Sequence, residues 1–369
     1  MNKIIQENDR TIFNYLDPKR NDRLSNLSES QIMDLMAYLD LYYLECRDSL
    51  AFPSDVDLTF GTEIEMEYFK GGFCEKRLFQ SGINDIVGNK KWICKEDWSL
   101  RSGYEVASDV LRDVPKTWAE LDNILSFVSK YGIVGETCSS QVHVGSQILG
   151  ENPLWWWRFF KLWSIYENVI YRFCYGDYLT HRPKIEEYAR PAASFFQSRL
   201  DVMSKHLDDG VLKMLQSINP GRMSEIYLNR FGISYCRMLG DENYNHFSDF
   251  NKFNLRCTVE LRVPNPDFDV VIRQNLVNFI IKFILYCKRD DFDDDILDRR
   301  KIEVASIFSS IDAYSDIYLE QAVELADLIF DNNLDKVYFL RQYIKSFEKG
   351  TKPFVRAKRP ITATNIPKN

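Results

Sequence analysis

Three glutamates stand at alternate positions of one short segment, Phe60-Gly61-Thr62-Glu63-Ile64-Glu65-Met66-Glu67-Tyr68. Side chains of a strand alternate between its faces. Phe60, Thr62, Ile64, Met66 and Tyr68 therefore point one way, and Glu63, Glu65 and Glu67 the other. Three carboxylates on one face repel each other unless water or a cation comes between them. The face is either the wet side of a half-buried sheet or a cradle for a hard divalent cation such as Mg²⁺, which takes carboxylate oxygens.

Three later segments repeat the pattern. Gly103-Tyr104-Glu105-Val106-Ala107-Ser108 sets Glu105 on the face away from Tyr104 and Val106. Ser139-Ser140-Gln141-Val142-His143-Val144-Gly145 sets Gln141 and His143 away from Val142 and Val144. In Asn254-Leu255-Arg256-Cys257-Thr258-Val259-Glu260-Leu261-Arg262-Val263, residues Thr258, Glu260 and Arg262 lie away from Val259, Leu261 and Val263. Each segment alone has a plain explanation. A single histidine is commonly a structural hydrogen-bonding residue, and a Glu two residues from an Arg can be a surface ion pair worth under about 1 kcal/mol. The same pair can also be a metal-binding carboxylate beside a guanidinium that grips phosphate or carboxylate in a planar fork. Together the second faces collect Glu63, Glu65, Glu67, Glu105, Gln141, His143, Glu260 and Arg262, and none of the four segments contains lysine. A face made for water would mix in Lys and Thr. An acidic face with one Arg and one His suits a concave sheet holding divalent cations and a polyphosphate.

The surrounding chain must supply strands for these groups and helices for their apolar faces. The 369 residues suffice for one large or two ordinary domains. Residues 1–50 read as a polar helical segment in which Ser28-Glu29-Ser30-Gln31 opens a helix. Lys90–Lys95 reads as a further strand, followed by a short turn at Asp97-Trp98-Ser99-Leu100. Gly71-Gly72 and Ser81-Gly82 mark turns or a mobile loop. Helical periodicity appears over 115–131, 154–174, 191–217, 267–288, 300–331 and 335–348. The aromatic helix at 154–174 reads as core rather than as a nucleobase platform. Asp290–Asp295 reads as a solvated connector. The expected organisation is thus a helical segment over 1–50, a catalytic domain over 51–348 and a basic, proline-containing tail over 349–369. Residues 70–90 and 176–250 are expected to shape a substrate pocket.

Composition narrows the function. A net charge of −7 argues against a general nucleic-acid surface. The eight cysteines include no C-x-x-C pair, so a zinc ribbon is not expected. The first residues lack the apolar stretch of a secretory signal, and the longest apolar stretches are interrupted by charges, so no membrane span and a cytoplasmic protein with reduced cysteines are expected.

The ordered set Gly61-Thr62-Glu63-Ile64-Glu65, Asp97-x-Ser99-Leu100, Gly103-Tyr104-Glu105-Val106-x-Ser108, Gln141-Val142-His143-Val144-Gly145 and Thr258-Val259-Glu260-Leu261-Arg262 resembles the amidoligase family. That family belongs to the carboxylate–amine ligases related to glutamine synthetase and glutamate–cysteine ligase. The likeness spans roughly residues 58 to 290. It implies an α+β fold, a curved, mainly antiparallel sheet with helices on the convex face and ATP with Mg²⁺, or Mn²⁺, in the hollow. It also implies Glu63, Glu65, Glu105 and Glu260 as metal ligands, and His143, Arg262 and Gln141 as cofactor contacts. Arg262, Glu105 and His143 would be the catalytic set, with Arg262 on the transferring phosphoryl group or the substrate acid. Gln141 departs from the family, which has a histidine there; its amide offers one neutral oxygen, a poorer ligand than imidazole for softer metals. The implied reaction phosphorylates a substrate carboxylate, and an amine then displaces phosphate to leave an amide. The substrates would be small-molecule or peptide acids and amines. Two alternatives stay open: a phosphotransferase on the same scaffold, and a non-catalytic binding protein on a degraded ligase fold, to which Gln141 points.

Overall fold

The computed structural model describes residues 15, 17–39, 42–43, 45–67, 76–88, 91–135, 137–174, 189–218, 233–234, 258–305, 318–344 and 359–360. Its backbone contacts divide the chain into two units, one of Arg47–Glu167 with His181–Ile311, the other of Met1–Cys46, Asn168–Thr180 and Asp312–Asn369. The helices beyond residue 318 thus group with the N-terminal helical segment rather than with the strands. The expected basic tail lies outside the described residues except for Arg359-Pro360, which pairs in parallel with Tyr42-Tyr43.

The larger unit is α+β. Its strands are β1 (Phe60–Glu67), β2 (Ile93–Glu96), β3 (Gly103–Ala107), β4 (Ser140–Gly145), β5 (Ile233–Ser234) and β6 (Thr258–Leu261). They form one sheet in the order β2-β3-β1-β4-β6-β5, and every pairing is antiparallel. The strand with three glutamates therefore lies inside the sheet, flanked by β3 and β4. Except for the half-buried Gly61, β1 is buried on both faces.

Three helices cover the apolar face: α2 (Lys76–Val87), α3 (Pro115–Tyr131) and α7 (Val270–Cys287). Trp118 of α3 stacks on Phe60 with ring centroids 5.2 Å apart. Phe79 of α2 meets Tyr104 of β3 and Phe127 of α3. From α7, the buried Arg273 reaches back to β1, donating to Thr62 Oγ1 at 2.7 Å and to the Glu63 carbonyl at 3.0 Å. Behind α7 lies α4 (Pro153–Cys174), whose Phe159 and Trp163 pack edge-on against Phe283. The aromatic helix is core, as its all-round bulk predicts. Helix α7 is long and apolar enough to span a bilayer, but 89% of it is buried in the fold.

Three expectations change. Ser81-Gly82 lies inside α2, not in a turn. Gly82 is there for packing: a Cβ would stand 2.4 Å from the Phe127 ring. The helix expected over 191–217 is two, α5 (Ala193–Ser204) and α6 (Val211–Ile218), because Gly210 turns the chain at φ 92°. Asp294 and Asp295 are no mere connector. They open α8 (Asp294–Ala305), where acids suit the helix dipole, and Asp294 lies 3.4 Å from the Lys161 ammonium.

The other unit is mainly helical where described, apart from the parallel pairing of Tyr42-Tyr43 with Arg359-Pro360. It contains α1 (Glu29–Leu39), α9 (Leu319–Ile329), α10 (Asn333–Ile344) and the last turns of α4. Ser28 and Gln31 close a reciprocal capping box at the start of α1. A buried Lys336–Asp327 pair at 2.8 Å ties α10 to α9. Arg172 of α4 donates to the carbonyls of Tyr343 and Ile344.

Candidate functional site

The sheet register brings the chemistry-bearing residues into three rows on the face away from α7. Lys95, Glu105 and Glu65 form the first, across β2, β3 and β1. Ile93, Ala107, Glu63 and Gln141 form the second, and Gly61, His143 and Glu260 the third. Residues directly opposite on one face have Cβ atoms about 4.5–5.5 Å apart. Groups as much as 197 positions apart in the chain thus become neighbours: Glu63 and Glu260.

Two groups of three side chains have ligand atoms within 4.8 Å of one another: Glu63, His143 and Glu260, and Glu65, Asp97 and Glu105. All but Asp97 are buried, with exposures of 8% or less. Burying that many carboxylates together is costly unless each finds a counter-charge, hydrogen bonds or a cation. The face divides these roles. Glu65 accepts from the Ser139 amide at 2.5 Å, the Ser139 hydroxyl at 2.8 Å and Gln141 Nε2 at 3.2 Å. Arg262 Nη1 donates to Glu260 Oε1 at 2.6 Å. Lys95 Nζ lies 2.9 Å from Glu105 Oε1, with its own side chain half exposed. His143 Nε2 is 3.4 Å from Glu63 Oε1, and its Nδ1 is 3.3 Å from Thr258 Oγ1.

Among the described residues, two buried polar atoms on this face have no hydrogen-bond partner, Gln141 Oε1 and His143 Nε2. Both belong to side chains less than 10% exposed. The amide of Gln141 gives its N–H to Glu65, which turns its oxygen away from Glu65; His143 Nε2 faces Glu63. Such orphaned polar atoms suit a bound ligand. Together with the carboxylates they make an oxygen-rich set with one imidazole, which fits Mg²⁺ or Mn²⁺.

Burial raises the Glu105 carboxyl above its ordinary range; Glu63 adds repulsion, and Lys95 works against both. Burial pushes the Cys138 thiol up to about 12, so no thiolate nucleophile stands beside Glu65. Behind the strand, burial lowers the Arg273 guanidinium to about 10, still cationic at neutral pH.

All eight side chains drawn from the four segments are brought to one face, but not to one purpose. Glu67 turns to a loop, where Thr137 donates to it and its carboxylate fills the place of a Cβ on Gly135. It joins neither triad. Asp97 joins one without having been singled out as a ligand: an Asp in a short turn reads as a turn former, and it is one, accepting from Ser99 N at 2.7 Å. Lys95 supplies an ammonium that the lysine-free segments did not suggest. Of the pocket residues expected over 70–90 and 176–250, those at 76–88, 189–218 and 233–234 are described, in helices α2, α5 and α6, their connections and the short β5, and the others lie outside the described residues.

Compared with family models and with curated proteins, the chain matches none.

Proposed function

We propose that the protein is an ATP- and Mg²⁺-dependent carboxylate–amine ligase with the glutamine synthetase-like catalytic fold, joining a small-molecule or peptide acid to an amine. One observation carries the reading: two triads of metal-type ligands, Glu63/His143/Glu260 and Glu65/Asp97/Glu105, stand on one buried sheet face beside a guanidinium. Cations held there would neutralise phosphate oxygens and the charge that develops during transfer. In this reading Glu63, His143 and Glu260 hold one cation and Glu65, Asp97 and Glu105 the other. Gln141 Oε1 offers a further neutral oxygen between them. Glu260 orients Arg262 toward the phosphoryl group or the substrate acid. Glu105, a ligand of the second cation in this reading, also belongs to the catalytic set with Arg262 and His143. Lys95 holds it in place.

Incubation with ATP, Mg²⁺, amino acids and short peptides tests the proposal. The expected result is ADP release that requires both a carboxylate and an amine, and that disappears in Glu63→Ala. ATP turnover indifferent to that substitution would sink it. The mass of the product separates an amide from a phosphorylated nitrogen acceptor.

A further inference from the structure

The triad of Glu63, His143 and Glu260 serves as a ligand set only if the imidazole presents one ring nitrogen to the carboxylates with its lone pair available. Nε2 holds that place: it is buried, 3.4 Å from Glu63 Oε1, and makes no hydrogen bond. A neutral imidazole has one N–H and one lone pair. The carboxylate of Glu63 draws the proton to Nε2, which would close that nitrogen to a cation. Something must hold the proton, and the ring, the other way.

Thr258 is placed to do so. Its Oγ1 lies 3.3 Å from Nδ1. The register accounts for this: on β6, Glu260 faces His143, and Thr258, two residues before it, faces Gly145. Its hydroxyl therefore approaches the ring diagonally, from the side away from Glu63. Metal-bound histidines are held by a hydrogen bond from the second ring nitrogen, which fixes both tautomer and ring direction. A hydroxyl can also donate, so Nδ1 keeps a partner when Nε2 carries the proton.

We infer that Thr258 is a positioning residue for His143: its Oγ1 accepts from Nδ1–H and keeps the lone pair of Nε2 turned to Glu63 and Glu260 for a cation. The inference rests on the cation-binding reading above. The strand itself needs no hydroxyl there, and Val matches Thr in shape.

The test compares the wild type with Thr258→Val and Thr258→Ser, and has two readouts besides turnover. The first is calorimetric titration with Mn²⁺ alone. The second is the ¹⁵N spectrum of the histidine rings in metal-free protein. The chain has four histidines, and the signals lost in His143→Gln mark the ring of interest. Thr258→Val is expected to weaken Mn²⁺ binding about 10–100-fold and to shift the His143 ring away from the Nδ1–H tautomer. Unfolding in EDTA should stay unchanged, and Thr258→Ser should restore both readouts. Equal Mn²⁺ affinity and an identical ring spectrum in Thr258→Val would overturn the inference. A wild type that binds no Mn²⁺ would refute the cation site itself; the ring spectra, which need no metal, would still judge Thr258. If Thr258→Val does not fold, Thr258→Ala carries the same comparison.

Discussion

Glu63 and Glu65 stand two residues apart on one strand face, yet they meet different surroundings. Three donors from Ser139 and Gln141 converge on Glu65, whereas Glu63 lies against an imidazole and within reach of a second carboxylate. Their substitutions should therefore part company. Glu65→Ala strands three buried donors and should cost about 2–4 kcal/mol in EDTA. Glu63→Gln removes one charge from a crowded acidic face and should leave stability in EDTA unchanged or slightly raised. It should abolish the rise in melting temperature that Mn²⁺ gives the wild type. Urea unfolding of both variants with and without Mn²⁺ checks this, and equal losses in EDTA would show that the two carboxylates are equivalent. At this scale the period-two alternation already told which side chains share a face. It could not tell which oxygen is anchored by Ser139, because that contact spans 74 positions.

Among the elements, α4 and α5 are joined by an acid that no periodicity announces. Glu167 is buried in α4, 0% exposed. It accepts from the amides of Ala192 and Ala193 at the start of α5 and from Trp163 Nε1. Burial outweighs those donors and raises its carboxyl from 4.5 to about 7. A carboxyl raised in the folded state adds stability below its unfolded value, and that contribution is lost as pH climbs through the folded one. Between pH 5 and pH 8 the wild type should therefore lose about 3 kcal/mol relative to Glu167→Gln. Denaturant titrations of the two proteins across that range measure the difference, and parallel curves would refute it. On the sheet side, α2 shields the edge strand in an equally local way. The Gln80 amide donates to the Trp92 carbonyl and accepts from the Cys94 amide, taking the place of a neighbouring strand. The sequence showed the amphipathic helix at 115–131 and the strongly apolar helix at 267–288 but missed α2, since Gly82 reads as a breaker until the Phe127 ring is seen against it.

For the molecule as a whole, the chain order cuts across its units. The last turns of α4 are buried in the smaller unit, where the Phe173 and Phe339 rings pack tilted with centroids 4.7 Å apart and Gln342 donates to the Phe173 carbonyl. A chain shortened to residue 311 keeps the sheet and both candidate triads but bares Val169, Ile170, Tyr171 and Phe173, all 1% exposed or less in the full chain. Such a chain should aggregate and bind a hydrophobic dye; a monodisperse, dye-silent product would show that the smaller unit is dispensable. The amino-acid sequence alone determined which side chains share a strand face, where most amphipathic helices begin, and that one face would be acidic. These follow from periods of two and 3.6 residues, which are local. The tertiary structure alone decided that Asp97 completes a triad, that Glu67 leaves it for Thr137, that Thr258 stands behind His143, and that the terminal helices form a unit with the end of α4. Each of those outcomes depends on strand register or on packing between distant segments, and no local period records either.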